Sequence, residues 1–277
     1  MIITVVNMSG STTDAELQAV VRAVNRQIRD DFSAYWGMSA TLRLEGKTGS
    51  GKPDAVTLPE MRGDAVLYLW DDVDVEDALG YHARNAKGLP FGFVFKRVAE
   101  QAGESWTVTL SHEALELIAD PLANLLVAGP HPQEPRTVFH WFEMSDAVQD
   151  ETYRVDGIEV SNFVLPLYFT PDAENGSRND FLGNRRDGST LASFGVNPGG
   201  YIGFYDPQAQ QDVTFARAGD ATALKRLTAK KRNAFGRRTV RIEGWPREGV
   251  LQPGSRNLRA VQVPAAARAK VRFERIG

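Results

Sequence analysis

Trp106-Thr-Val-Thr-Leu-Ser-His-Glu-Ala-Leu-Glu-Leu-Ile-Ala-Asp120 decides the reading of the chain, because a strand signal, a helix start and a cluster of ligand-type side chains meet in it. Wound as a helix from Ser111 at about 100° per residue, it puts Leu115, Ile118, Leu122 and Leu125 on an apolar stripe. His112, Glu113, Glu116 and Asp120 gather on the opposite side. His112 and Glu116 stand four apart and project from adjacent turns, so one metal ion could take both, and Glu113, one step round, could hold a water against it. The same pattern also describes a helix whose polar face meets solvent. Trp106 to Leu110 reads as a strand running straight into the helix.

Upstream, Ile2 to Val6 is a short apolar run that reads as a buried strand, turned by Ser9-Gly10-Ser11. Thr13 and Glu16 make a capping box, and Leu17, Val20, Val21, Val24, Ile28 and Phe32 keep helical spacing up to Trp36-Gly37. Ala40 to Glu45, Ala65 to Trp70 and Phe91 to Val98 read as three further strands. Between the last two, Leu79 to Phe91 is turn-rich and carries one histidine, His82, which could orient a substrate carbonyl or make a partly buried hydrogen bond. The expected architecture is α+β: one mixed β-sheet backed by an N-terminal helix and the His-Glu helix.

Composition limits the function classes. A chain of 277 residues with 42% hydrophobic content can bury a large core, and a net charge of −3 argues against bulk attraction to nucleic acid or anionic membrane. Without cysteine there is no disulfide, thiolate ligand or cysteine nucleophile, which fits a reducing cytoplasm. The first residues lack a basic region followed by a signal-length apolar run, and no segment approaches the roughly 18 apolar residues of a membrane span. A cytoplasmic location is the expectation.

The order of elements, and the apolar run leading into Ser111-His112-Glu113-Ala-Leu-Glu116, resemble the catalytic half of zincin metallopeptidases, in which a mixed sheet precedes the active-site helix. The string is most similar to bacterial and phage proteins carrying Ser-His-Glu-x-Leu-Glu with Asp-Pro shortly after, here Asp120-Pro121, and the resemblance covers residues 1–165. It implies a zincin-like catalytic domain, a peptide or protein substrate, His112 as metal ligand and Glu113 as general base. The usual zincin helix has a second histidine where this chain has Glu116. A carboxylate ligand donates charge to the ion, so zinc would activate water less strongly, or a harder ion such as manganese or calcium would be preferred.

Pro121 should end or kink the helix, leaving Asp120 reachable but poorly aimed as an alternative ligand. Downstream, Glu143 and Asp146 follow the strand-like run Thr137-Val-Phe-His-Trp-Phe. Their spacing resembles a zincin subgroup in which a glutamate on the following segment is the third ligand and an acid three residues on supports the first histidine. Glu143 is the favoured third ligand and Asp146 the runner-up, and Met144 resembles the methionine turn that underlies the metal in another subgroup. His131 and His140 read as structural or exposed.

Beyond Tyr153 the chain changes texture. Tyr153 to Pro166 reads as a hairpin turning at Asp156-Gly157, and residues 166–277 as an irregular, mostly β subdomain packed on the first half as a substrate wall. Lys225 to Arg241 holds eight basic residues and no acid, leaving −11 on the remainder. Lys230, Lys231, Arg232, Arg237 and Arg238 could therefore contact a polyanion or an acidic partner, although no recognised nucleic-acid motif frames them. Three readings stand: a metal-dependent peptidase, a zincin-like binding or structural module that has lost catalysis and serves an assembly, and a polyanion-binding protein.

Overall fold

Ile2–Asn7 (β1), five of whose six residues are buried, is the strand on which the first half is built. The structure is a computed structural model and describes residues 1–47, 63–71, 80–84, 89–171, 177–186 and 188–225. After β1 the chain enters α1 (Asp14–Arg26) through a complete capping box: Thr13 Oγ1 accepts from Glu16 N at 3.2 Å and Glu16 Oε2 from Thr13 N at 2.7 Å. The helix continues as a π-helical turn, Gln27–Phe32, and a last α turn, α2 (Ser33–Trp36). Gly37 ends it at φ 65°, a left-handed conformation that glycine adopts without a Cβ penalty.

Four more strands complete the first sheet: β2 (Thr41–Lys47), β3 (Ala65–Trp70), β4 (Gly80–Arg84) and β5 (Pro90–Phe95). Their order is β2-β1-β3-β5-β4. The first four run parallel, and β4 closes one edge antiparallel to β5. Two helices follow, α3 (Lys96–Ala102) and α4 (Trp106–Ala119). One face of the sheet forms the main core with α1 and α4, through Ile3, Val5, Leu67, Leu69, Val94, Leu17, Val21, Leu110 and Leu115.

Three sequence expectations give way here. Trp106 to Leu110 is the first part of α4, not a strand: Ser105 caps the helix, Thr107 Oγ1 donates to Glu159 O at 2.7 Å, and Val108 and Leu110 are buried. Burial and capping outweigh the β preference of Thr107, Val108 and Thr109. Phe91 to Val98 stops being a strand at Phe95 and turns into α3. The turn-rich stretch around His82 contains strand β4, whose pairing partner β5 supplies the order that its own composition does not signal.

After α4 the chain forms β6 (Leu126–Pro130) and β7 (Thr137–Trp141), the hairpin of β8 (Thr152–Val155) and β9 (Ile158–Ser161), then β10 (Ile202–Asp206) and β11 (Gln211–Phe215). The β8–β9 turn is at Asp156-Gly157, both at positive φ (51° and 81°), which suits the twist of a two-residue hairpin. A second, antiparallel sheet has the order β11-β10-β7-β6. Met144, Val160, Phe163 and Leu165 enter the main core, so segments on both sides of the hairpin bury apolar surface against α1 and α4. The fold is mixed α+β with several sheets and few helices. No helix among the described residues is long and apolar enough to cross a membrane.

Candidate functional site

Helix α4 has no solvated face. It packs on β9, β5 and β4, and every residue from Val108 to Ala119 is buried. The apolar stripe ends with the helix: Leu115 and Ile118 are buried, whereas Leu122 and Leu125 lie beyond it and are exposed. The polar side therefore points into the protein. His112, Glu113 and Glu116 are each at most 5% exposed, so the reading of this face as solvated is excluded. Burying ionisable groups is costly unless protons, partners or ions compensate them.

The helix is fixed in rotation by a buried polar relay one residue before His112. Ser111 Oγ donates to Gln27 Oε1 at 2.7 Å and accepts from Ser161 N at 3.1 Å, while Gln27 Nε2 donates to Ser161 O at 2.8 Å. All three residues have no solvent exposure.

His82 meets this helix from the edge strand. It pairs with Gly92, two residues from the core residue Val94, and so projects from the face of the sheet that α4 covers. Its Nδ1 lies 3.3 Å from Glu113 Oε2 and 3.7 Å from Glu116 Oε2. His112 Nε2 lies 3.1 Å from Glu116 Oε1 and 3.4 Å from Asp146 Oδ1. Glu116 thus stands between the two histidines, turning one oxygen toward each, and its Oε1 also accepts from Ser145 N at 3.3 Å.

The segment after β7 supplies the remaining acids. Glu143 is half-buried; its carboxylate, one of Glu116 and a nitrogen of His82 lie within 4.8 Å of one another. Donor atoms of His112, Glu113 and Glu116 form a second such group. Asp146 begins a one-turn 3-10 helix (Asp146–Val148), its backbone O accepts from Tyr201 N at 3.1 Å, and its Oδ1 accepts from the Tyr201 hydroxyl. A narrow crevice bounded by Trp141, Glu143, Asp146, Tyr168, Phe169 and Ile202 leads to these two acids.

Burial alone would lower the pKa of the His112 ring, but the carboxylates of Glu116 and Asp146 outweigh it and hold the ring well above the ordinary histidine value. Its Nδ1 has no hydrogen-bond partner among the described residues, so Nε2 is the nitrogen the carboxylates engage. The donor separations suit a metal. Ligands on one zinc ion with bonds of about 2.0–2.1 Å in tetrahedral array stand roughly 3.4 Å apart, and the His112–Glu116, His112–Asp146 and His82–Glu116 separations bracket that value.

Other sequence candidates occupy different places. Asp120 caps α4 and its Oδ2 accepts from Leu125 N at 2.8 Å, outside both donor groups. Met144 is fully buried in the main core. His140 is structural: Nε2 lies 2.9 Å from Pro130 O, the ring packs on Phe194 and Phe204, and burial lowers its pKa. His131 Nδ1 accepts from Gln133 N and Glu134 N, both at 3.1 Å. Lys230, Lys231, Arg232, Arg237 and Arg238 lie outside the described residues. Ser145 N and Tyr201 had no sequence signal, since neither belongs to a spacing pattern. His82 was visible as a loop histidine but not as a strand residue aimed at α4. Compared with protein-family models, curated proteins and solved structures, the chain matches none.

Proposed function

We propose that the chain is a metal-dependent hydrolase of the zincin type, acting on peptide bonds. The observation that carries this reading is the inward polar face of α4, where His112, Glu113 and Glu116 are buried and face His82, Glu143 and Asp146. A mixed sheet with an antiparallel edge strand, lying directly before that helix, supports the same class.

His112 and Glu116 would hold the ion, with Glu143 or Asp146 from the segment after β7 completing the set. One histidine nitrogen among several carboxylate oxygens suits zinc or manganese, with calcium as the hard-ion alternative. A bound dication supplies Lewis acidity, polarising a carbonyl and making a water molecule easier to deprotonate. Glu113, fixed beside His112 on the same turn, takes that proton and returns it to the leaving amine. Ser145 N holds Glu116, and Tyr201 holds Asp146, in the orientations the ion needs. The crevice beside Glu143 and Asp146, lined by Trp141, Tyr168 and Phe169, has about 10 Å³ of room, enough to admit a water molecule to the acids.

The test is metal content by plasma mass spectrometry on protein purified without chelator or histidine tag, wild type beside His112→Ala, followed by peptide-library cleavage. Metal retained and cleavage lost in Glu113→Gln supports the proposal. A wild type that takes up no zinc, manganese or calcium sinks it. The depth of burial favours one alternative, a zincin-like binding module without catalysis; metal uptake with no cleavage of any peptide pool would decide for it.

A further inference from the structure

We propose that the cluster holds two divalent ions side by side, bridged by Glu116, with His82 and Glu143 carrying the second. The inference rests on the hydrolase reading and extends it from one ion to two. The donor atoms fall into two groups that share only Glu116: His112 with Glu113 and Glu116, and His82 with Glu116 and Glu143. The glutamate turns different oxygens to the two histidines, Oε1 to His112 at 3.1 Å and Oε2 to His82 at 3.7 Å. A carboxylate so placed spans two ions about 3.5–4 Å apart, the separation found in two-metal hydrolytic sites.

Charge points the same way. Glu113, Glu116, Glu143 and Asp146 bring four carboxyl groups to a site in which only Glu143 is more than 8% exposed. Carboxylates bound to a metal are ionised and histidines neutral, so four carboxylates match the charge of two dications. His82 also accounts for the glutamate at the position where the zincin helix carries its second histidine. Each ion receives one imidazole nitrogen, the second coming from β4 instead of from α4. His82 is then an ion ligand, in place of a group that orients the substrate carbonyl. Glu113, 3.3 Å from His82 Nδ1 and one residue from His112, borders both positions and keeps the part of base.

The experiment is zinc stoichiometry on the full chain, stripped by chelator, saturated with zinc chloride and desalted, beside electron paramagnetic resonance of the manganese-loaded protein. Two zinc ions per chain in wild type and one in His82→Ala are expected, with an exchange-coupled manganese spectrum in wild type giving way to that of an isolated ion. Glu143→Gln, at a half-buried position on the segment after β7, should also drop to one, which guards against a folding defect on the edge strand. Folding of both variants is checked by circular dichroism. One ion per chain in wild type at saturation, or two in His82→Ala, overturns the second position and leaves the hydrolase reading intact. No ion in wild type overturns both.

Discussion

Ser111→Ala removes one hydroxyl from the structure and orphans two buried groups. In the folded protein that hydroxyl donates to Gln27 Oε1 at 2.7 Å and accepts from Ser161 N at 3.1 Å, at a position with no solvent exposure. Alanine fits the space, so cavity and strain terms are small. The loss is that of a buried carbonyl and a buried amide without partners, about 1–3 kcal/mol each, or about 2–6 kcal/mol together. That is a large share of the 5–15 kcal/mol typical of a folded domain. Urea unfolding in chelator, with unchanged m-value, measures it without a metal contribution. Gln27→Leu removes the same Ser111–Gln27 bond, together with the 2.8 Å bond from Gln27 Nε2 to Ser161 O, so combining it with Ser111→Ala should cost less than the sum of the single losses. Because the relay sets the rotation of α4 one residue before His112, the variant should also bind zinc more weakly. A stability loss below about 1 kcal/mol would refute the claim that this relay fixes the helix.

Three more expectations follow from particular contacts. Arg136 grips Asp206 with Nη1 at 2.6 Å and Nη2 at 2.9 Å and holds its pKa at about 2; a depressed carboxylate contributes stability above its ordinary value of 3.8 that is lost as pH falls toward about 2. Asp206→Asn should therefore flatten the acid limb of a pH–melting-temperature curve, and an unchanged limb would count against the pair. In the metal-free protein the raised pKa of His112 works in the opposite sense: its contribution is full below the ordinary histidine value of 6.5 and is lost as pH rises through the folded-state pKa, a slope that His112→Ala should abolish in chelator. A Cβ on Gly200 would overlap the backbone carbonyl of Ala147, next to Asp146, so Gly200→Ala should lower stability by about 1–3 kcal/mol and weaken zinc binding; a variant with wild-type melting and metal titration would show that the loop yields freely.

Several elements are legible without tertiary information because the signal is local. Thr13 and Glu16 satisfy each other's backbone, Leu17, Val20, Val21 and Val24 repeat at helical spacing, Ala65 to Trp70 is a continuous apolar run, and Asp156-Gly157 is a turn wherever it occurs. The pairing of His112 with Glu116 is equally local, since four residues of helix bring two side chains to one face. Amphipathicity, by contrast, separates polar from apolar faces without saying what lies beyond the polar one.

Sequence by itself thus determined the helix and strand types of the strongest segments and the chemical identity of the α4 cluster. Only the tertiary structure decided that Trp106 to Leu110 is helical, that the polar face of α4 is interior, and that His82 joins it from β4. The physical reason is range. Capping and periodicity act over three or four residues, whereas burial of the α4 face depends on β4, β9 and the segment from Glu143 to Asp146, elements far apart in sequence, of which β4 is placed by a sheet whose order is set by packing across most of the first half of the chain.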